Sequence, residues 1–400
     1  MKNKFSLLLE YIFNFPFYIL SLSVKKNNNI WIFGSWFGER YSDNSRYLFE
    51  YVNENHKDIK AIWVTSNRSV IKELRGKNLE CHYKYSFKAI YYAIFAKVSV
   101  FVQNNYLDCL MFMNNKNTLL IQLWHGAPIK KIGNDDKLTL KKNSLPLFKK
   151  IRFQILSNIF PFIVNEKYNL FIACSSNDQQ IYQSAFHAKN IKITGFPRND
   201  NLFNNGFNKE RGQYKKIIYL PTFRKEVGGQ IDLFFEYGFN VNEWVSFLEK
   251  NNIILYIKLH PVSFPKEGVK NALTKSKNII FLESEDASDL LPDMDILITD
   301  YSSVYIDYLL TGKPLIFAPF DLKEYLHNDK ELYYSYEQVT PGPKCKNWKD
   351  VLKWVEKYND ETLFSSDRSL LRDSFHKYTD SRSSERVYSE ILHLINNADI

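Results

Sequence analysis

DILITDYSSVYID, residues 295–307, reads as a β-strand that runs straight into a helix. Asp295–Thr299 supplies a short apolar run, and Ser303–Leu310 carries helical spacing. A strand apolar on both faces belongs in a parallel sheet covered on both sides. At the joint stand Ser302 and Ser303. Their hydroxyls, and the free N–H groups at the positive end of the helix dipole, suit an anion. An ordinary serine N-cap is the competing reading. Asp307 lies one turn into the helix, where it can fix a serine or a ligand hydroxyl.

The same strand-then-helix alternation extends in both directions. Upstream, strands are expected at Ile30–Gly34, Lys60–Thr65, Val98–Val102, Leu119–Trp124, Asn169–Ala173 and Ile191–Thr194. Nearer by, they are expected at Ile217–Leu220, Ile253–Leu259, Asn278–Leu282 and Pro314–Ala318. Helical stretches such as Ser42–Asn53, Ser86–Lys97, Asn177–Phe186 and Asn242–Asn251 fall between them. About six strands followed by about five make an α/β chain of two Rossmann-like halves. Asn199–Tyr214, rich in Asn, Gly and charge, is the expected break. The expected domains are residues 1–26, a membrane-interface segment; 27–205; 206–375; and 376–400, a C-terminal helix. In such sheets ligands bind beyond the carboxyl ends of strands, so the residues just after each strand carry the chemical information.

His125 directly follows the strand Leu119–Trp124, in the run Trp124-His125-Gly126-Ala127-Pro128-Ile129-Lys130-Lys131-Ile132-Gly133. Gly126 permits close backbone approach and Pro128 fixes the turn. Lys130 and Lys131 suit phosphate. Histidine is the usual general base near neutral pH. His260 ends a second strand, in Lys258-Leu259-His260-Pro261. Each histidine taken alone is also compatible with a purely structural role. Arg198, in Gly195-Phe196-Pro197-Arg198-Asn199-Asp200, and Arg224, in Pro221-Thr222-Phe223-Arg224, offer forked donors for phosphate or for a surface ion pair. Walker A, GxGxxG, HExxH and GxSxG patterns are absent, which argues against a P-loop kinase, a classical dehydrogenase, a zinc protease and an α/β-hydrolase.

Composition narrows the partners. The 400 residues are 45% hydrophobic and 24% charged, a globular balance that excludes a wholly disordered chain. The net charge of +9 permits phosphate, anionic lipid or nucleic acid. No RNP or zinc-finger pattern supports nucleic acid. Cys81, Cys109, Cys174 and Cys345 stand far apart, so neither a disulfide framework nor a zinc site is expected. Phe5–Val24 is apolar and flanked by Lys2, Lys4, Lys25 and Lys26, but it contains Glu10, Asn14 and Pro16. It suits a segment lying in the membrane interface; a helix packed on the protein's own core and a spanning helix are the alternatives. Leu138–Val164 interleaves basic with large apolar residues, which suits an anionic membrane surface or a solvated helix over a buried face.

Taken together these motifs resemble the CDP-glycerol glycerophosphotransferase family of teichoic-acid and capsule biosynthesis. His125-Gly126-x-Pro128 with Lys130, Lys131 and Gly133 is similar to its WHGTPxKxxG element, with Ala127 in place of Thr. Gly195 to Asp200 resembles GxPRxD; Pro221 to Arg224 resembles PTWR, with Phe223 for Trp. Lys258 to Pro261 resembles the K/R-x-HP strand end, and Leu297 to Asp307 the ITDYSSVxxD signature. Gly38, Tyr41, Ser42, Asp43 and Asn44 resemble GxxYSDN. Gly312-Lys313-Pro314, Asp321, Tyr325 and Pro341-Gly342-Pro343 also fit.

The resemblance implies a GT-B fold, with two Rossmann-like domains facing across a cleft, CDP-glycerol as donor, and attachment to the inner face of the bacterial membrane beside a lipid-linked acceptor. It implies donor contacts at His125, Gly126, Ala127, Pro128, Ile129, Arg198, Pro221, Thr222, Lys258, Leu259, His260, Ser302, Ser303 and Asp307. His125 and His260 are the expected catalytic pair. No cofactor or metal held by protein side chains is expected. CDP-ribitol is the alternative donor, and a GT-B sugar transferase a more distant alternative.

Overall fold

The computed structural model describes residues 4–137, 140, 146–164, 167–204, 213–222, 230–259, 264–265, 267–283, 286–328 and 331–398. The chain divides into two compact units. Met1–His125, Lys137–Asp200 and Arg382–Ile400 form the first; Gly126–Asp136 and Asn201–Ser381 form the second.

In the first unit the strands are β1 (Asn27–Phe33), β2 (Lys60–Thr65), β3 (Cys81–Tyr83), β4 (Ala96–Phe101), β5 (Leu119–Gln122), β6 (Leu170–Ala173) and β7 (Ile191–Ile193). They pair in parallel in the order β3-β2-β1-β4-β5-β6-β7. Trp31, Phe33, Trp63 and Ile121 pack one face, and Ile32, Ile62, Phe101 and Leu120 the other. Burial on both faces is why these strands read as continuous apolar runs. The sequence reading missed β3, whose three residues include a polar His82. Strand β5 also stops two residues earlier than expected. Trp124 takes a positive φ of 54°, and its N–H is captured by the Gln122 side chain at 2.9 Å.

The second unit holds β8 (Lys215–Leu220), β9 (Gln230–Ile231), β10 (Ile253–Ile257), β11 (Phe264–Pro265), β12 (Ile279–Phe281), β13 (Ile296–Thr299) and β14 (Leu315–Phe317). Five of them form a parallel sheet in the order β12-β10-β8-β13-β14, while β9 and β11 pair separately. Both main sheets therefore grow outward from their first strand and then reverse. The reversals lie between β1 and β4 and between β8 and β13, the places where α/β sheets open a ligand crevice.

The helix Lys4–Ser23 turns Glu10, Asn14 and Ser21 toward the protein. Asn14 and Ser21 are fully buried. Glu10 accepts the Tyr106 hydroxyl at 3.2 Å, and Ser21 accepts Lys26 Nζ at 2.6 Å. Phe5, Leu9, Ile12, Phe13, Ile19 and Leu20 face outward. This explains why polar residues interrupt an otherwise apolar stretch that is long enough to cross a membrane. The helix Leu147–Ile159 is exposed on nearly every side: Ser157 is buried, Leu156 half-buried, and Leu147, Phe148, Ile151 and Ile155 are exposed together with Lys149, Lys150 and Arg152. At the other end of the chain, Ser383–Ala398 returns to the first unit. There Val387, Ile391 and Ile395 join the core around Trp31.

Candidate active site

His125 stands just past β5 in the first unit, in a nest of unusual backbone. Trp36, Phe37, Asp43 and Trp124 all have positive φ, between 45° and 64°. Such conformations cost on the order of 1–3 kcal/mol each and persist where the surroundings over-determine them. Here the surroundings are polar and interlocked. Asp43 accepts Trp36 Nε1 at 3.1 Å and Arg198 Nη1 at 2.8 Å. Asn44 donates to the carbonyls of Leu123 and Trp124 and accepts the Arg198 N–H. Arg198 Nη1 also donates to the His125 carbonyl at 3.1 Å. The ring of His125 lies 4.2 Å from that of Trp124 and 5.9 Å from that of Trp36, centroid to centroid.

The imidazole has a defined orientation. Its Nδ1 is 3.3 Å from the Val102 carbonyl oxygen. An oxygen can only accept, so Nδ1 carries the proton and Nε2 keeps its lone pair in the neutral ring. Burial lowers the His125 pKa, Asp43 and the Val102 carbonyl raise it, and Arg198 lowers it; the net shift is downward. A neutral, aimed imidazole is what general-base chemistry requires.

In the second unit the segments after β8 and β13 meet through Asp300. This fully buried carboxylate accepts the Thr222 N–H at 2.9 Å, the Thr222 hydroxyl at 2.7 Å and the Tyr301 N–H at 2.6 Å. Pro221-Thr222 and the Tyr301–Ser303 turn are thereby fixed at the reversal of the sheet. Ser303 has helical φ and ψ and makes no capping side-chain bond, so the ordinary N-cap reading does not describe it. Ser302 and Ser303 remain partly accessible. Tyr301 is buried, pairs its hydroxyl with Asp321 and stacks on Tyr325 at 4.1 Å. Lys130 Nζ lies 5.2 Å from the centre of the Tyr325 ring.

Several expected contact residues are placed differently from one another. The side chains of Ala127 and Ile129 sit in an apolar core with Ile218 and Tyr305, which leaves only their backbone for a ligand. Gly126 and Pro128 are buried. Asp307 is buried. Beside it His376, also buried, bonds the Ile306 carbonyl at 2.8 Å. Lys258 and Leu259 are half-buried just past β10, and the Lys258 N–H bonds the Tyr219 carbonyl. His260, Phe223 and Arg224 lie outside the described residues. The reading of candidate residues missed Asp43, Asn44 and Asp300. Asp43 and Asn44 stood in the YSDN run and Asp300 in TDYSS, but their work is done through contacts up to 155 positions away.

The chain is similar to known proteins along its whole length. The chain is 29% identical to the teichoic acid poly(glycerol phosphate) polymerase of Bacillus spizizenii, over 97% of this chain and 98% of that one. It is 27% identical to the teichoic acid glycerol-phosphate transferase of Staphylococcus aureus, over 98% of this chain and all of that one. The solved wall teichoic acid polymerase TagF shares its fold, with a TM-score of 0.74 at 22% identity, covering 100% of this chain and 99% of that one. Residues 16–393 match the model of the CDP-glycerol:poly(glycerophosphate) glycerophosphotransferase family, and the chain belongs to that family.

Proposed function

We propose that this chain transfers glycerol phosphate from CDP-glycerol to a hydroxyl of a lipid-linked acceptor or a growing teichoic-acid or capsule polymer, releasing CMP. The observation that carries the proposal is the His125 ring, held by its Nδ1 on the Val102 carbonyl so that Nε2 is the open base. In the proposed reaction Nε2 takes the proton of the acceptor hydroxyl. The freed oxygen pair forms a bond to the glycerol-side phosphorus. The bond from that phosphorus to the bridging oxygen breaks, and CMP leaves with the electron pair. Negative charge grows on the CMP phosphate, where fixed donors have most effect. Ser302, Ser303 and the N–H groups of their turn are assigned to that charge, together with Lys258 and His260. Arg198 is assigned to the same region of the donor, although its ion pair with Asp43 also supports a positioning role. The proposal includes no metal bound by protein side chains. It does include a GT-B arrangement in which donor and acceptor are taken up between two Rossmann-like halves.

The names of the relatives favour glycerol over ribitol as the polyol. Outward-facing apolar residues on the helices Lys4–Ser23 and Leu147–Ile159, with exposed Lys149, Lys150 and Arg152, support a peripheral seat on an anionic membrane. The proposed side is the cytoplasmic face of the bacterial cell membrane, where a nucleotide-linked donor is made. The test of the chemistry is His125→Ala. Its CMP release from CDP-glycerol should fall about 10²–10⁴-fold, the range for loss of a general base. Turnover near that of the unmodified enzyme would remove the base assignment.

A further inference from the structure

At the reversal between β1 and β4, one buried carboxylate joins the segments that leave the two strands. Asp108 is fully buried. Its Oδ1 accepts the Phe37 N–H at 2.7 Å. Its Oδ2 accepts the N–H groups of Val102 at 3.0 Å and Gln103 at 2.6 Å. Gly34 allows this approach, because a Cβ there would stand 2.2 Å from the Asp108 carbonyl oxygen. The Gln103 N–H and the Val102 C=O are the two ends of one peptide group. At the far end, that carbonyl oxygen receives Nδ1–H of His125. We infer that Asp108 is a positioning residue for His125, acting through the Val102–Gln103 peptide as a carboxylate–peptide–imidazole relay.

Polarisation carries the effect. A carboxylate pulling on the N–H of an amide increases the negative charge on its oxygen, and linked hydrogen bonds strengthen one another. The Val102 oxygen then holds Nδ1–H more firmly, which fixes the tautomer. It also stabilises the imidazolium that forms when Nε2 accepts a proton, much as a directly bonded aspartate does for a working histidine. A second tie reinforces the first. Gln122 Nε2 donates to the Gln103 carbonyl at 3.0 Å, and Gln122 Oε1 accepts the Trp124 N–H. The segment bonded by Asp108 is thus fastened to the residue before His125 as well as to its ring.

Charged groups act on both members of the pair. Lys84 donates to the carbonyls of Tyr106 and Leu107, and its charge favours ionised Asp108. Asp43 and Arg198 act on His125 in opposite directions. Burial pushes the Asp108 carboxyl up to about 6, against the pull of Lys84 and three amides. The carboxylate, and with it the relay, should therefore weaken as the pH falls through that value.

The inference rests on His125 being the base, so its test is read in the resting protein. The full chain carrying ¹⁵N-labelled histidine is titrated by NMR, with the His125 ring assigned through His125→Gln. In Asp108→Asn the His125 pKa should fall and the Nδ1–H tautomer should lose population. kcat should drop about 10- to 100-fold, the scale seen when a metal-binding histidine loses its outer hydrogen-bond partner, with KM for CDP-glycerol within about twofold. A folded Asp108→Asn protein whose His125 titrates as in the unmodified chain overturns the inference. Should that variant not fold, the unmodified chain decides. Its His125 ring shifts should show a second inflection near the Asp108 titration, and a single-step curve overturns the relay. Normal turnover of His125→Ala would instead sink the base assignment, leaving the NMR coupling to stand or fall by itself.

Discussion

Asp43 is the residue on which the nest around His125 turns. Its carboxylate is buried and paired with a largely buried Arg198, whose guanidinium in turn reaches the His125 carbonyl. Removing one member of a buried pair leaves the other charge uncompensated, at a cost of about 3–5 kcal/mol. Asp43→Ala should therefore lower the denaturation midpoint sharply and abolish CMP release. Asp43→Asn keeps a residue tolerant of the left-handed backbone and one acceptor, so it should lose less stability than Asp43→Ala. Denaturant titration of both variants checks the order. The downward pKa shift of His125 has its own consequence. A base with a lowered pKa stays neutral further into acid, so the acid limb of kcat/KM should fall below pH 6.5, the ordinary histidine value. A limb above 6.5 in a pH–rate profile would contradict that assignment. The position of His125, after a strand and before a glycine, was legible in the sequence. The contacts of Asp43 and Asp108 were not, since their partners are brought together only by the sheet.

At the scale of elements, the closing helix Ser383–Ala398 supports the turn that carries Arg198. Asp200 accepts the N–H groups of Ser383 and Ser384, both at 2.8 Å, which caps that helix. Arg386 Nε reaches the Thr194 carbonyl. Gly195, at φ +80°, has no room for a side chain, because a Cβ would lie 2.5 Å from Ser383 Oγ. Asp200→Ala should cost about 1–2 kcal/mol as a lost cap. Gly195→Ala should cost about 1–3 kcal/mol from backbone strain. Both should lower kcat by loosening the Arg198 turn, as thermal melts paired with CMP assays would show. The strand pattern was readable because buried parallel strands are apolar throughout; the edge strand β3, at three residues, fell below the length at which a pattern forms. The many asparagines, uninformative in composition, have a local purpose. Asn67, Asn104, Asn240 and Asn347 each cap a helix with a side-chain oxygen.

For the whole molecule, the question is where the exposed apolar helices go. Leu147 and Phe148 are 74% and 75% exposed and Phe5 is 67% exposed; large apolar faces of this kind mark interaction surfaces. With Glu10 and Asn14 held against the protein, the helix Lys4–Ser23 presents its apolar side without having to bury a charge in lipid. The protein should float with vesicles containing anionic lipid, and Ile12→Asp combined with Phe148→Asp should leave it in the dense fraction. Flotation unchanged by those substitutions would assign the faces to another partner. The two Rossmann-like sheets were foreseeable from the alternation of strands and helices. The outward apolar side of Lys4–Ser23 was only half foreseeable, because a sequence shows which residues are apolar but not which way they point.

His125 is proposed to drive transfer of glycerol phosphate from CDP-glycerol to an acceptor hydroxyl. The most direct measurement is mass spectrometry of a synthetic lipid acceptor incubated with CDP-glycerol or CDP-ribitol and either the unmodified protein or His125→Ala. With CDP-glycerol and the unmodified protein the acceptor should gain whole glycerol phosphate units, one CMP for each, and nearly all product should be lost in the variant. Product of equal yield from His125→Ala, or an acceptor that gains no glycerol phosphate, would contradict it.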